Sequence, residues 1–270
     1  MNTGVAATVS GLTIEDGTNG GISNAGTLTV ADGVIRSNKG SGIQNSGNLT
    51  VVNSVLSGNE AEVGGAIYNS GTAAITNSNI LHNSAKTGGG IYNDGGVTVT
   101  NSSITGNTAT GRFPFVPVPP NPNVDPTIFG SAILNRNGRA TITNSTIAGN
   151  NDEGFAFRNC YTFSPSHTCP PGYGTAILMV IDIPGAQAVE LNLNNSTVTD
   201  NILIDLYVDR PYSVIARNSI INGLSNKGLL FPSTLGSQGY NLIVNATGII
   251  ITGDTTGNIL RVRLNLRDRN

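Results

Sequence analysis

The sequence predicts an all-β chain, a single-stranded right-handed parallel β-helix of about eight or nine coils with two loop insertions on one flank. Three observations carry that expectation. The stretch GGAIYNSGTAAITNSNILHNSAKTGGGIYNDGGVTVTNSSITGN, residues 64 to 107, nearly repeats itself: Ile67 and Asn69 return as Ile91 and Asn93, Asn77 as Asn101, and Asn83 as Asn107, each 24 residues later. Charged residues are only 11% of the chain, while 35 Gly and abundant Asn, Thr, Ser, Ile and Val supply turns and strands and no helix-forming run. Asparagine recurs at fixed points of the repeat, as stacked amide ladders and left-handed corners favour.

The elements follow in order around one coil. An I-x-N strand comes first, at Ile22/Asn24, Ile43/Asn45, Ile67/Asn69, Ile91/Asn93 and Ile133/Asn135, with a degenerate copy near Ile177. A second strand alternates apolar and polar residues around Leu28/Val30, Leu49/Val51, Ala73/Ile75, Val97/Val99, Ala140/Ile142 and Leu191/Leu193, the period of a strand with one buried face. A third column, Asp32, Asn53, Asn77, Asn101, Asn144, Asn195 and Asn218, follows that strand and usually precedes Ser. The fourth is Asn38, Asn59, Asn83, Asn107, Asn150 and Asn201. Three short strands and three bends per coil stack at about 4.8 Å, and no coil buries its apolar side alone. The solenoid is expected over 1–260, with 261–270 a basic C-terminal strand or tail. In LRVRLNLR the leucines and Val262 face one way and the arginines the other, which suits a strand that caps the last coil.

Bulk properties exclude some classes of function. A formal net charge of −2 creates no global field for nucleic acid or an anionic membrane. No segment approaches the roughly 18 apolar residues of a membrane-spanning helix. Residues 1–20 lack the basic start and apolar block of a signal peptide, and the chain opens inside the strand-like run VAATVSGLTI, as a fragment or processed chain would. Cys160 and Cys169, in CYTFSPSHTC, are expected to form a disulfide closing a short loop in an oxidising compartment, with two free thiols as the alternative.

The GGAIYN and GGGIYN motifs, with N-S-x-I strands between them, resemble the β-helix repeats of the chlamydial polymorphic outer membrane proteins and of related large bacterial surface proteins. Near the C-terminus, SQGYNLIVNATGIIITGDTTGNIL resembles the last-coil segment of secreted bacterial right-handed β-helix proteins that carry assorted surface-anchoring domains. The resemblance covers roughly residues 5 to 260 and implies an extracellular or cell-surface location; its motifs describe coil geometry and carry no catalytic signature. After Leu260 the chain departs from that pattern, with RVRLNLRDRN in place of an Asp-Pro and NGGPT-like continuation, so the anchor is expected to be absent or lost.

Two inserts, 111–130 and 152–175, interrupt consecutive coils after the fourth Asn column and before the next I-x-N strand, which places them side by side. Six of the seven Phe lie within them. Aromatic, Pro-rich loops on a rigid scaffold are where binding is expected, so Phe113, Phe115, Phe155, Phe157, Tyr161, Arg112 and Arg158 are the candidate ligand residues. The same rings also serve to pack the inserts on the solenoid. Glu60, Glu62, Lys86, Arg112, Asp152, Glu153 and Arg158 gather at the same corner, where a solvated bend is the commoner explanation and a glycan or protein site the sharper one.

Parallel β-helices of the pectate-lyase type include lyases and glycosidases, so catalysis has to be argued from a site. A glycosidase needs two carboxyls about 5 to 9.5 Å apart, and Glu62 and Asp152 are three coil steps, about 14 Å, from one another. If the chain is an enzyme, Asp125, Asp152 and Glu153 are its acids. No Asp-rich column, calcium repeat, zinc set, Ser elbow or phosphate-cradling loop is present, so no cofactor is expected. Thr29, Thr50, Thr98 and Thr141 form an outward column, but Ala74 and Asn192 break it, and strand propensity explains the threonines better than ice binding. Sequence alone therefore points to a non-catalytic adhesin-like or scaffold protein that binds glycan or a surface protein through its inserts. A polysaccharide-active enzyme is the alternative, and a filament or homo-oligomer built through the solenoid ends is a third.

Overall fold

The repeat gives four strand positions per coil, and the computed structural model stacks them as a parallel β-helix. It describes residues 1–111, 130–152, 177–180, 190–199, 204–205, 213–225, 233–247 and 249–261. In one coil Ile67–Asn69, Thr72–Thr76, Asn79–Leu81 and Ser84–Thr87 follow one another, and each pairs in parallel with its counterparts one coil before and after.

Four sheets result. A six-stranded amide sheet of I-x-N strands runs from Ile22–Asn24 to Ile177–Val180, and a ten-stranded sheet of five- and six-residue strands from Ala6–Ser10 to Ile249–Asp254. An eleven-stranded sheet runs from Thr13–Glu15 to Ile259–Arg261, and a four-stranded edge sheet from Glu60–Val63 to Asn151–Asp152. The edge sheet is a fourth strand position where the sequence suggested only a bend. Ten strands make ten rungs and a rod of about 45 Å. That exceeds the eight or nine coils counted from the motif; among the described residues the first rung and the last ones have the five- or six-residue strand and no I-x-N strand.

Both inserts leave the register intact. Val99 pairs with Ile142 across the first, and Thr141 with Asn192 across the second. The C-terminal strand Ile259–Arg261 continues the pairing from Leu242–Thr247, and residues 262–270 lie outside the described part.

Alternation along each strand decides what is inside. Ile35, Leu56, Ile80, Ile104 and Ile147 stack in register and are at most 1% exposed. Each such side chain contributes roughly 1.5–3 kcal/mol relative to an exposed one.

Three buried polar columns stitch the rungs together. In the amide sheet Asn24 Nδ2 donates to Asn45 Oδ1, Asn45 to Asn69 and Asn69 to Asn93, each at 2.7 Å, and Asn93 donates to Asn135 at 2.6 Å. The fourth column repeats this from Asn38 through Asn59, Asn83 and Asn107 to Asn150 at 2.8–3.0 Å. Between the two, Ser54, Ser78, Ser102 and Ser145 each accept at Oγ from the backbone N–H of the rung before at 3.0–3.1 Å, and donate to a carbonyl of their own rung. The third column behaves differently: Asn53, Asn77, Asn101, Asn144 and Asn195 are exposed, have φ of 47–50°, and their amides meet only at 3.2–3.3 Å where they touch.

Candidate functional site

The edge sheet and the amide sheet meet at the corner from which the inserts leave. On the edge strands alternation turns Ala85 and Ala109 inward and leaves Glu60, Glu62 and Lys86 outward and exposed. Gly64 then bends the chain into the amide sheet with φ of 62°, and a Cβ there would sit 2.4 Å from the Ile67 carbonyl oxygen, so only glycine fits. In the amide sheet the middle residue of each I-x-N strand points outward, giving Ser23, Gln44, Tyr68, Tyr92 and Leu134 in register.

Side-chain size along that column shapes the flank. Tyr68 and Tyr92 stack with centroids 5.4 Å apart and planes 15° from parallel. Tyr92 is 5% exposed and packs with Leu134 and Val63, while Tyr68 is half-buried at the end of the stack. Arg136 Nη1 donates to the Tyr92 hydroxyl oxygen at 2.7 Å. Burial pushes the Tyr92 phenol up from its ordinary value, against the opposing pull of the Arg136 hydrogen bond. One rung earlier the column steps down to exposed Gln44, and beside it an open groove of ≈ 780 Å³ runs past Thr18, Lys39, Gln44, Glu60, Glu62 and Tyr68.

The groove's charges are neutralised pairwise. The Lys39 ammonium meets the Glu60 carboxylate and that of Lys86 meets Glu62, each pair bridging one rung. All four groups are exposed, so these pairs add little stability, of the order of 0–1 kcal/mol each. Their consequence is electrostatic: with Lys86, which pairs with Glu62 from outside the lining, the charges at the groove sum to zero.

The described ends of the inserts lie on this flank. Gly111 N–H donates to the Lys86 carbonyl oxygen at 3.1 Å, and Gly89 N–H donates to the Gly130 carbonyl oxygen at 3.0 Å. Thr108–Ala109 and Asn151–Asp152, the strands preceding the two inserts, are neighbours in the edge sheet. Asp152 is placed by its backbone alone, opposite Ala109. Arg112, Phe113, Phe115, Asp125, Glu153, Phe155, Phe157, Arg158, Cys160, Tyr161 and Cys169 lie outside the described residues.

Lys39, Gln44, Tyr68 and Tyr92 were not singled out by sequence reasoning. The signal was present, since IYN recurs in successive repeats and equal positions in adjacent coils must lie in register. His82 is an exposed left-handed corner residue, and among the described residues no group of three His, Cys, Asp or Glu side chains gathers to hold a metal. Among the described residues no helix is long and apolar enough to cross a membrane. Compared with protein-family models, curated proteins and solved structures, the chain finds no match in any of the three.

Proposed function

We propose that the protein is a non-catalytic extracellular or cell-surface β-helix, a rigid adhesin-like scaffold that holds a glycan or a surface protein against one flank. The observation that carries this reading is the coincidence on that flank of the open groove, the stacked Tyr68–Tyr92 pair and the points where both aromatic inserts leave the rod. Loops and clefts on a rigid solenoid are where recognition resides, and the buried polar columns make this scaffold stiff. The resemblance of GGAIYN and GGGIYN to bacterial surface-protein repeats supports the location.

The test is a glycan array and a panel of extracellular-matrix proteins probed with the full chain, beside a Phe113→Ala/Phe155→Ala double variant, with reducing-end release measured on every glycan that binds. Binding without release supports the proposal. Release of sugar ends would replace it with a polysaccharide-active enzyme, and silence on every glycan and protein would leave a rod without a recognition role.

A further inference from the structure

Part of the flank's polar and aromatic surface, Lys39, Gln44, Glu60, Glu62 and Tyr68, lies in residues whose spacing is fixed by the rungs themselves. We infer that the groove beside Tyr68 binds an uncharged oligosaccharide, with one pyranose ring stacked on the face of Tyr68 turned toward Gln44. This inference rests on the proposed function and names the ligand class and the subsite.

The geometry of the tyrosine pair supplies the platform. One face of Tyr68 is covered by Tyr92 at 5.4 Å, and Tyr92 is held by burial and by the Arg136 hydrogen bond. Tyr68 is thus the outer member of a stack whose inner member is fixed, a preorganised ring that loses little freedom on binding. Its other face looks along the rod axis toward Gln44, the exposed residue paired with it one rung earlier, and beyond that toward Ser23, which is shorter still. The π face of tyrosine carries negative potential and attracts the weakly positive C–H bonds on the flat side of a pyranose.

Polarity of the surrounding atoms selects the sugar. Lys39, Gln44, Glu60 and Glu62 line the groove and offer both donors and acceptors to hydroxyl groups. Each ammonium already faces a carboxylate, so a uronate would have to displace Glu60 or Glu62 from its lysine, whereas a neutral sugar hydroxyl bonds to the pair as it stands. The volume of ≈ 780 Å³ lies within the roughly 300–1,000 Å³ of small-ligand sites.

The experiment is titration of the full chain with cellohexaose, maltohexaose and mannohexaose, and with hexagalacturonate as the anionic comparison, by calorimetry and ligand-observed saturation-transfer NMR. The expected result is saturable binding of at least one neutral probe, weakened about tenfold or more by Tyr68→Ala, a loss of about 1.4 kcal/mol, and kept within about twofold by Tyr68→Phe. Gln44→Arg provides a second variant that leaves the tyrosine stack in place; its guanidinium should settle on the open ring face and weaken binding similarly, with the circular dichroism melt unchanged. Three results would overturn the inference: no neutral probe binds, only hexagalacturonate binds, or a neutral probe binds equally well to wild type, Tyr68→Ala and Gln44→Arg. The third leaves the proposed function standing and moves the glycan to the inserts, so the two failures are distinguishable.

Discussion

Two corners of the coil use asparagine for opposite reasons. At Asn59, Asn83 and Asn107 the side chain is buried, and each amide is bonded to the next rung at 2.8–3.0 Å. At Asn53, Asn77 and Asn101, six residues earlier in each coil, the side chain is exposed and the backbone sits at φ 50°. The first corner selects asparagine for its hydrogen-bonding side chain. The second selects it because its short polar side chain tolerates the left-handed backbone. A column of identical residues in a repeat protein therefore does not identify the force that maintains it.

Substitutions at the two corners sharpen that contrast, and the largest effect is expected at the buried one. Asn83→Ala removes the acceptor that Asn59 uses for both its backbone N–H, at 3.0 Å, and its Nδ2, at 2.8 Å, and deprives Asn107 of its donor. Two orphaned donors cost roughly 3–4 kcal/mol together, to be read as a lower urea midpoint at unchanged m. Ser78→Ala, at the neighbouring buried column, takes the acceptor from a single backbone N–H, that of Ser54, and is expected to cost roughly 1–2 kcal/mol in the same measurement.

Asn77→Ala, at the exposed corner, places a non-glycine residue without a local hydrogen bond at φ 50° and should cost about 1 kcal/mol. Asn77→Gly should cost almost nothing, because only the backbone matters there. If Asn77→Gly proves as damaging as Asn83→Ala, the contrast between the corners collapses. A modest effect of opposite sign is expected at His82, which stands at φ 54° where the neighbouring coils have Gly58 and Gly106 at φ 62°. His82→Gly should raise thermal stability by about 0.5–1 kcal/mol, and a loss would mean that the imidazole makes a contribution of its own.

The fold was legible because a solenoid writes its tertiary contacts into the period of its sequence. Residues 24 apart are neighbours in space, so the I-x-N strand, the alternating second strand and the Asn columns all show in the period of the sequence and stand in register in the structure. The Ser column was harder to see. Serine after the third-column Asn was evident, but its burial and its acceptance of a backbone N–H depend on the sharp turn that the left-handed residue makes. The fourth strand position was hidden for a related reason: EAEV, SAKT and TA share only one inward alanine, too little pattern to separate a strand from a bend.

Recognition of the candidate site divided in the same way. The sequence gathers Glu60, Glu62 and Lys86 as charge at one corner, and the structure pairs Glu60 with Lys39 and Glu62 with Lys86. Tyr68 and Tyr92 were seen as marks of the repeat, although outward-facing rings one rung apart are brought within stacking distance by the rung spacing alone.

By itself the sequence determined the repeat, the inward columns and the corner from which the inserts depart, because each follows from periodicity and from which residues tolerate water or positive φ. Only the tertiary structure decided which asparagines are buried, which lysine meets which glutamate, and that a tyrosine stack ends in an open groove. Those features depend on the angle at which two sheets meet and on side chains from different rungs, and a one-dimensional period fixes which residues stack but not the direction in which the chain bends between them.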